Sequence, residues 1–138
     1  MTRSAMKQGF TLVEAVISTM LLVLVIAGSY SLVNASSKMI YAARNHYVAI
    51  NIARARLERA RDFAYTQLSS LAETNVVVDD SGNPSSSGYF RRSTLVNTNY
   101  QTGLTKVEVR SDIRDSRSLN FTTENESVAS LFTEYLTQ

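Results

Sequence analysis

The chain has 138 residues, with 14 Lys and Arg against 12 Asp and Glu, one His and a formal charge of +2. That length suits one domain, and the absence of cysteine excludes disulfide stapling and thiol chemistry. The basic excess comes from Arg3 and Lys7 at the extreme N-terminus; beyond them basic and acidic residues balance, so no nucleic-acid binding is read from charge.

Residues 1–9 are short and basic. From Phe10 to Val33 runs an apolar stretch of about two dozen residues whose one charge is Glu14. As a helix rising about 1.5 Å per residue it spans roughly 36 Å, more than the roughly 30 Å hydrocarbon core of a bilayer. Arg3 and Lys7 place the N-terminus on the cytoplasmic side. A carboxylate in such a stretch is costly and calls for a partner. Two other readings of this end stand beside a processed anchor. One is a secretory signal peptide cut near Val33-Asn34-Ala35; the other is an uncleaved signal anchor. Against the first, the apolar run outlasts a usual signal core, and it contains Glu14.

Past Val33 the residues turn polar while a helical stripe persists. Ile40, Ala43, Tyr47, Ile50, Leu57, Ala60, Ala64, Leu68 and Leu71 recur at three- and four-residue steps, with Ala53 or Arg54 filling the longer gap. The expectation is an amphipathic continuation of the same helix over 34–73, one face laid on a core. Arg54 and Glu58 are spaced to pair across a turn. Lys38, Arg44, Arg54, Arg56, Arg59 and Arg61 make this segment basic, whereas residues 65–138 are acidic on balance.

Residues 74–138 read as a small β-sheet head. Asn75–Asp79 is β-prone, and Asp79–Gly88 is a loop by its Gly, Pro, Ser and Asp content. Tyr89–Asn97 reads as a strand and Asn97–Gly103 as a turn. Thr105–Arg114 is the clearest strand: Thr105, Val107, Val109, Ser111 and Ile113 share one face, and Lys106, Glu108, Arg110, Asp112 and Arg114 share the other. Asp115–Ser127 reads as a polar loop with a short strand near Leu119–Thr122. Val128–Leu136 reads as a last strand, with Leu131, Thr133 and Tyr135 alternating and a helix left open. The fold class is therefore α+β: a long N-terminal helix with a small antiparallel sheet packed on its second half.

No Gly-rich phosphate loop, nucleophile elbow or metal-ligand spacing occurs, so an enzyme is not expected and no cofactor is implied. Asp79, Asp80 and Asn83 around Gly82 are the one candidate cation site, because hard cations take several oxygens on a flexible turn. The full calcium-loop spacing is missing, so a solvated turn is the expectation. His46 has no sequence neighbour that points to chemistry. Arg54, Arg56, Arg59 and Arg61 would suit a phosphate backbone, but they spread around the helix with Glu58 and Asp62 among them.

Gly9-Phe10-Thr11-Leu12-Val13-Glu14, at the head of the apolar helix, resembles the processing site of type IV prepilins and type II secretion pseudopilins. The resemblance implies a leader of residues 1–9, cleavage between Gly9 and Phe10 by a prepilin peptidase, and methylation of the new Phe10 amine. Residues 10–33 become the transmembrane and filament-core helix, and the fold becomes pilin-like. Glu14 is then the residue that pairs with the Phe10 amine of a neighbouring subunit during assembly. An isolated amine and an isolated carboxylate are each expensive to bury, whereas a pair neutralises itself. More loosely, Asn51–Arg61 and the ending Leu131–Leu136 resemble minor pilins and the smaller minor pseudopilins. The implied product is a minor structural subunit of a pilus or pseudopilus. It starts in the bacterial inner membrane as a single-pass protein with a cytoplasmic N-terminus and a periplasmic head. The implied partners are other pilin or pseudopilin subunits, the prepilin peptidase, the inner-membrane assembly platform and membrane lipid. Nucleic acid is not expected. A DNA-binding competence pilin, and a secreted or anchored domain unrelated to pili, are the alternatives.

Overall fold

The computed structural model describes residues 10–115 and 118–134, the side chains of residues 122–124 apart. Two compact units make up the chain, residues 1–41 and 42–138. One helix, α1, runs through Leu12–Arg61. The layout is α+β, because four antiparallel strands follow: β1 (Glu73–Val78), β2 (Phe90–Gln101), β3 (Leu104–Arg114) and β4 (Phe121–Thr133), in the sheet order β1-β2-β3-β4.

The helix closes at Arg61 rather than continuing to residue 73. Its last turn tightens, the Asp62 and Phe63 amides donating to the Arg59 and Ala60 carbonyls, and Ala64 is extended. A short 3₁₀ turn, Tyr65–Leu71, comes next. Burial explains the break. A straight helix would carry Leu71 roughly 16 Å beyond Ala60. Folded back, Leu68 and Leu71 pack on Ala60 in one buried cluster with Tyr65, Val96 and Phe132 at its edge.

The helical stripe is also phased differently. Ala49, Ile52, Ala53, Leu57 and Ala60 are the buried helix positions of the second unit, while Tyr47 is 66% exposed. Leu57, Ala60 and Ala53 belong to the expected stripe; Tyr47 does not face the core. Small side chains decide this. Ala49, Ala53 and Ala60 let the backbone approach the sheet, where Tyr47 would hold it away. Ala49 and Ile52 pack with Val78, Phe90 and Ile113, and Ala53 and Leu57 with Val107 and Val109.

The β3 alternation holds: Thr105, Val107, Val109, Ser111 and Ile113 are all buried. Asp112, placed by alternation on the water face, is buried too. From that face Arg91 grips one carboxylate oxygen at 2.7 and 3.0 Å, and Arg110 takes the other at 2.8 Å. The polar run at 121–127 is strand rather than loop, continuous with the expected last strand. Its backbone pairs with β3, and its first residue, Phe121, lies under the guanidiniums of Arg91 and Arg114 at 4.7 and 5.3 Å. Val128, Ser130, Phe132 and Thr133 are half-buried, and Ala129 and Leu131 are exposed. Tyr135 and Leu136 lie outside the described residues.

The Asp79–Gly88 loop folds back on β1. Pro84 bridges Val78, and the Ser85 amide donates to the Val77 carbonyl. Gly88 makes this possible, since a Cβ there would lie 2.1 Å from the Val78 carbonyl oxygen. Gly88→Ala is therefore expected to destabilise the second unit by about 1–3 kcal/mol. Urea unfolding of the detergent-solubilised chain checks it; an unchanged midpoint would contradict the close approach.

Candidate processing and assembly site

Phe10 precedes the helix and is 73% exposed. Thr11 is the N-cap. Its hydroxyl oxygen accepts the Glu14 amide at 3.2 Å, and its carbonyl accepts the Ala15 amide at 3.1 Å. Thr11-Leu12-Val13-Glu14 thus has the Thr-x-x-Glu spacing of a capping box, which fixes a helix start. Reading Glu14 only for its charge overlooks that the Thr11 hydroxyl caps its amide, although the spacing is plain in the sequence. Glu14 sits in the first turn, where the helix dipole favours an acid. Among the described residues no side chain pairs with its carboxylate. Gly9 lies outside the described residues.

The helix from Leu12 to Tyr41 is exposed along its whole length. By length and composition it can cross a membrane, with none of its most apolar window buried in the protein. Three of its hydroxyls bond back onto their own helix. Thr19 donates to the Val16 carbonyl at 2.9 Å, Ser29 to Val25 at 2.8 Å and Ser37 to Val33 at 2.9 Å. Polar groups satisfied within the helix are what an apolar solvent demands.

The second unit spends its charges internally. Glu73 accepts from both nitrogens of the Arg92 fork and, at 3.0 Å, from the Thr94 hydroxyl. Arg56 reaches the same carboxylate and the Leu71 carbonyl, each at 3.2 Å. Burial pushes the Arg56 guanidinium below its usual pKa, Glu73 opposes that shift, and Arg92 and Arg59 add to it. A bulge positions Glu73: Asn75 takes a φ of 57°, and the β1–β2 register shifts between Glu73 and Val76. Asn tolerates that region better than most residues. So Arg56 leaves the surface arginines, while Arg54, Arg59 and Arg61 remain exposed. Glu58 pairs with Arg61 at 3.5 Å, not with Arg54.

One Asp79 carboxylate oxygen accepts the amides of Ser81 and Asn83, each at 2.9 Å. Those bonds, the one from Asn83 foremost, hold the Asp79 carboxyl below its ordinary pKa. The Gly82 carbonyl is taken by Arg92 at 2.8 Å. Among the described residues no three His, Cys, Asp or Glu side chains are grouped to hold a metal. His46 meets the Glu126 carboxylate at 2.8 Å across 80 positions of sequence, a pairing that only the β4 register makes visible.

No protein-family model, curated protein or solved structure matches the chain. Its class is therefore argued from its own residues.

Proposed function

We propose that this chain is a structural subunit of a type IV pilus or type II secretion pseudopilus, cleaved after Gly9 and methylated on Phe10. One observation carries the reading: the sequence Gly9-Phe10-Thr11-Leu12-Val13-Glu14 leads directly into a capped helix that is apolar and exposed through Tyr41. Before assembly that surface anchors the subunit in the inner membrane, with the N-terminus cytoplasmic and the 42–138 unit periplasmic. In the filament the same surface packs helix on helix. The pilin-like arrangement, a sheet packed on the later part of the helix, supports the reading. Work of assembly comes from the platform's machinery; this chain supplies shape and a charge pair. The small head and the Asn51–Arg61 segment favour a minor subunit.

The test is the intact mass and N-terminal residue of the protein co-expressed with a prepilin peptidase. A chain beginning at methylated Phe10 is the expected result. A chain beginning near Ser36, or one retaining Met1, would overturn it.

A further inference from the structure

We infer that Thr11 is a positioning residue for the processing step, and the inference rests on the prepilin reading above. In an uninterrupted helix the Glu14 amide would donate to the carbonyl four residues back, that of Phe10. Here the Thr11 hydroxyl intercepts that amide at 3.2 Å. The first backbone bond of the helix therefore runs from Ala15 to Thr11, at 3.1 Å. Leu12 is the first helical residue, and Phe10 stays outside, 73% exposed. The hydroxyl thus keeps the helix from winding onto the residue that carries the amide nitrogen of the Gly9–Phe10 bond.

The argument turns on where the Glu14 amide goes when the hydroxyl is removed. At the edge of an apolar phase an unpaired amide is expensive. The nearest acceptor is the Phe10 carbonyl, and that bond would add a residue to the helix. A peptidase must reach the backbone of the bond it cuts, and backbone held in a helix has to be unwound first. An N-cap of the right type next to the cut therefore acts as a specificity element. It works through backbone conformation rather than by touching the enzyme.

The experiment compares cleavage of the full-length, membrane-inserted chain by a prepilin peptidase for wild type, Thr11→Val, Thr11→Asn and Thr11→Ser. Val keeps the size and branching of Thr but has no side-chain acceptor; Asn and Ser differ in shape but both keep a side-chain oxygen that caps. Thr11→Val is expected to be cut roughly 2- to 30-fold more slowly, the range that loss of an N-cap spans. Thr11→Asn and Thr11→Ser should match wild type. Wild-type rates for Thr11→Val would overturn the inference. So would Asn and Ser variants as slow as Val, which would mean that the peptidase recognises the threonine itself. In both cases cleaved wild type leaves the prepilin reading standing. Wild type that is not cut after Gly9 overturns that reading, and this inference with it.

Discussion

Glu73→Ala is expected to cost the 42–138 unit about 3–5 kcal/mol, the range seen when one partner of a buried ion pair is removed. Two guanidiniums depend on this one carboxylate. Arg92 is 4% exposed and has Glu73 as its only anionic partner among the described residues. Arg56 is mostly buried, already carries a desolvation cost, and leaves its Nε without an acceptor. Without Glu73, both charges stay in a poorly solvated site and repel each other. Whole-domain stabilities run at about 5–15 kcal/mol, so the loss is a large fraction of what this unit can have. Urea unfolding of the detergent-solubilised chain, followed by circular dichroism, reads it. A loss under about 1 kcal/mol would mean that water reaches the cluster. The pair Glu73→Leu with Arg92→Leu separates charge from packing. Replacing a buried pair by apolar residues is often near neutral, so the double variant should recover part of what Glu73→Ala loses, the remainder being Arg56, which still lacks its carboxylate.

That cluster marks the boundary of what the sequence makes legible. The long apolar helix, the β3 strand and the α+β order follow from local pattern, because hydrophobic period and turn residues act over a few positions. The Arg56–Glu73–Arg92 contact depends on a bulge at Asn75 and on the β1–β2 register, neither of which has a local signature. The same holds for Asp112: strand alternation turns it to water, and only the flanking Arg91 and Arg110 explain its burial. The helix stripe misled in a different way. Large residues such as Tyr47 dominate a pattern read by eye, yet close packing against a sheet selects the small ones, Ala49, Ala53 and Ala60. The end at Arg61 has no Gly or Pro to announce it; the return of Leu68 and Leu71 onto Ala60 decides it. At the candidate site the balance reverses. Phe10, Thr11 and Glu14 lie within one helical turn of sequence, so they are open to local reading, and the structure adds the Thr11 cap that the charge argument passed over.

Glu14→Ala is expected to leave cleavage after Gly9 intact and to reduce incorporation into the filament on the order of 100-fold. The reasoning is electrostatic. On the proposed reading, cleavage after Gly9 would leave an ammonium group on Phe10 at the head of an apolar helix. Held at membrane depth without a counter-ion, one cation costs about 2.5–3.5 kcal/mol on insertion scales, which sets the size of the effect. The carboxylate of Glu14 has no side-chain partner among the described residues. Its place in the first turn of the helix must be kept apart from this. Glu14→Gln retains a side chain able to complete a capping box, yet it carries no charge. If the pairing with the Phe10 amine matters, Gln should fail as badly as Ala. If Glu14 serves only the helix start, Gln should assemble like wild type. Immunoblots of sheared filaments, read beside the mass of the processed subunit in the membrane, distinguish the two. Wild-type incorporation of Glu14→Gln with normal cleavage would remove the charge pair from the mechanism and leave Glu14 a role at the helix start alone.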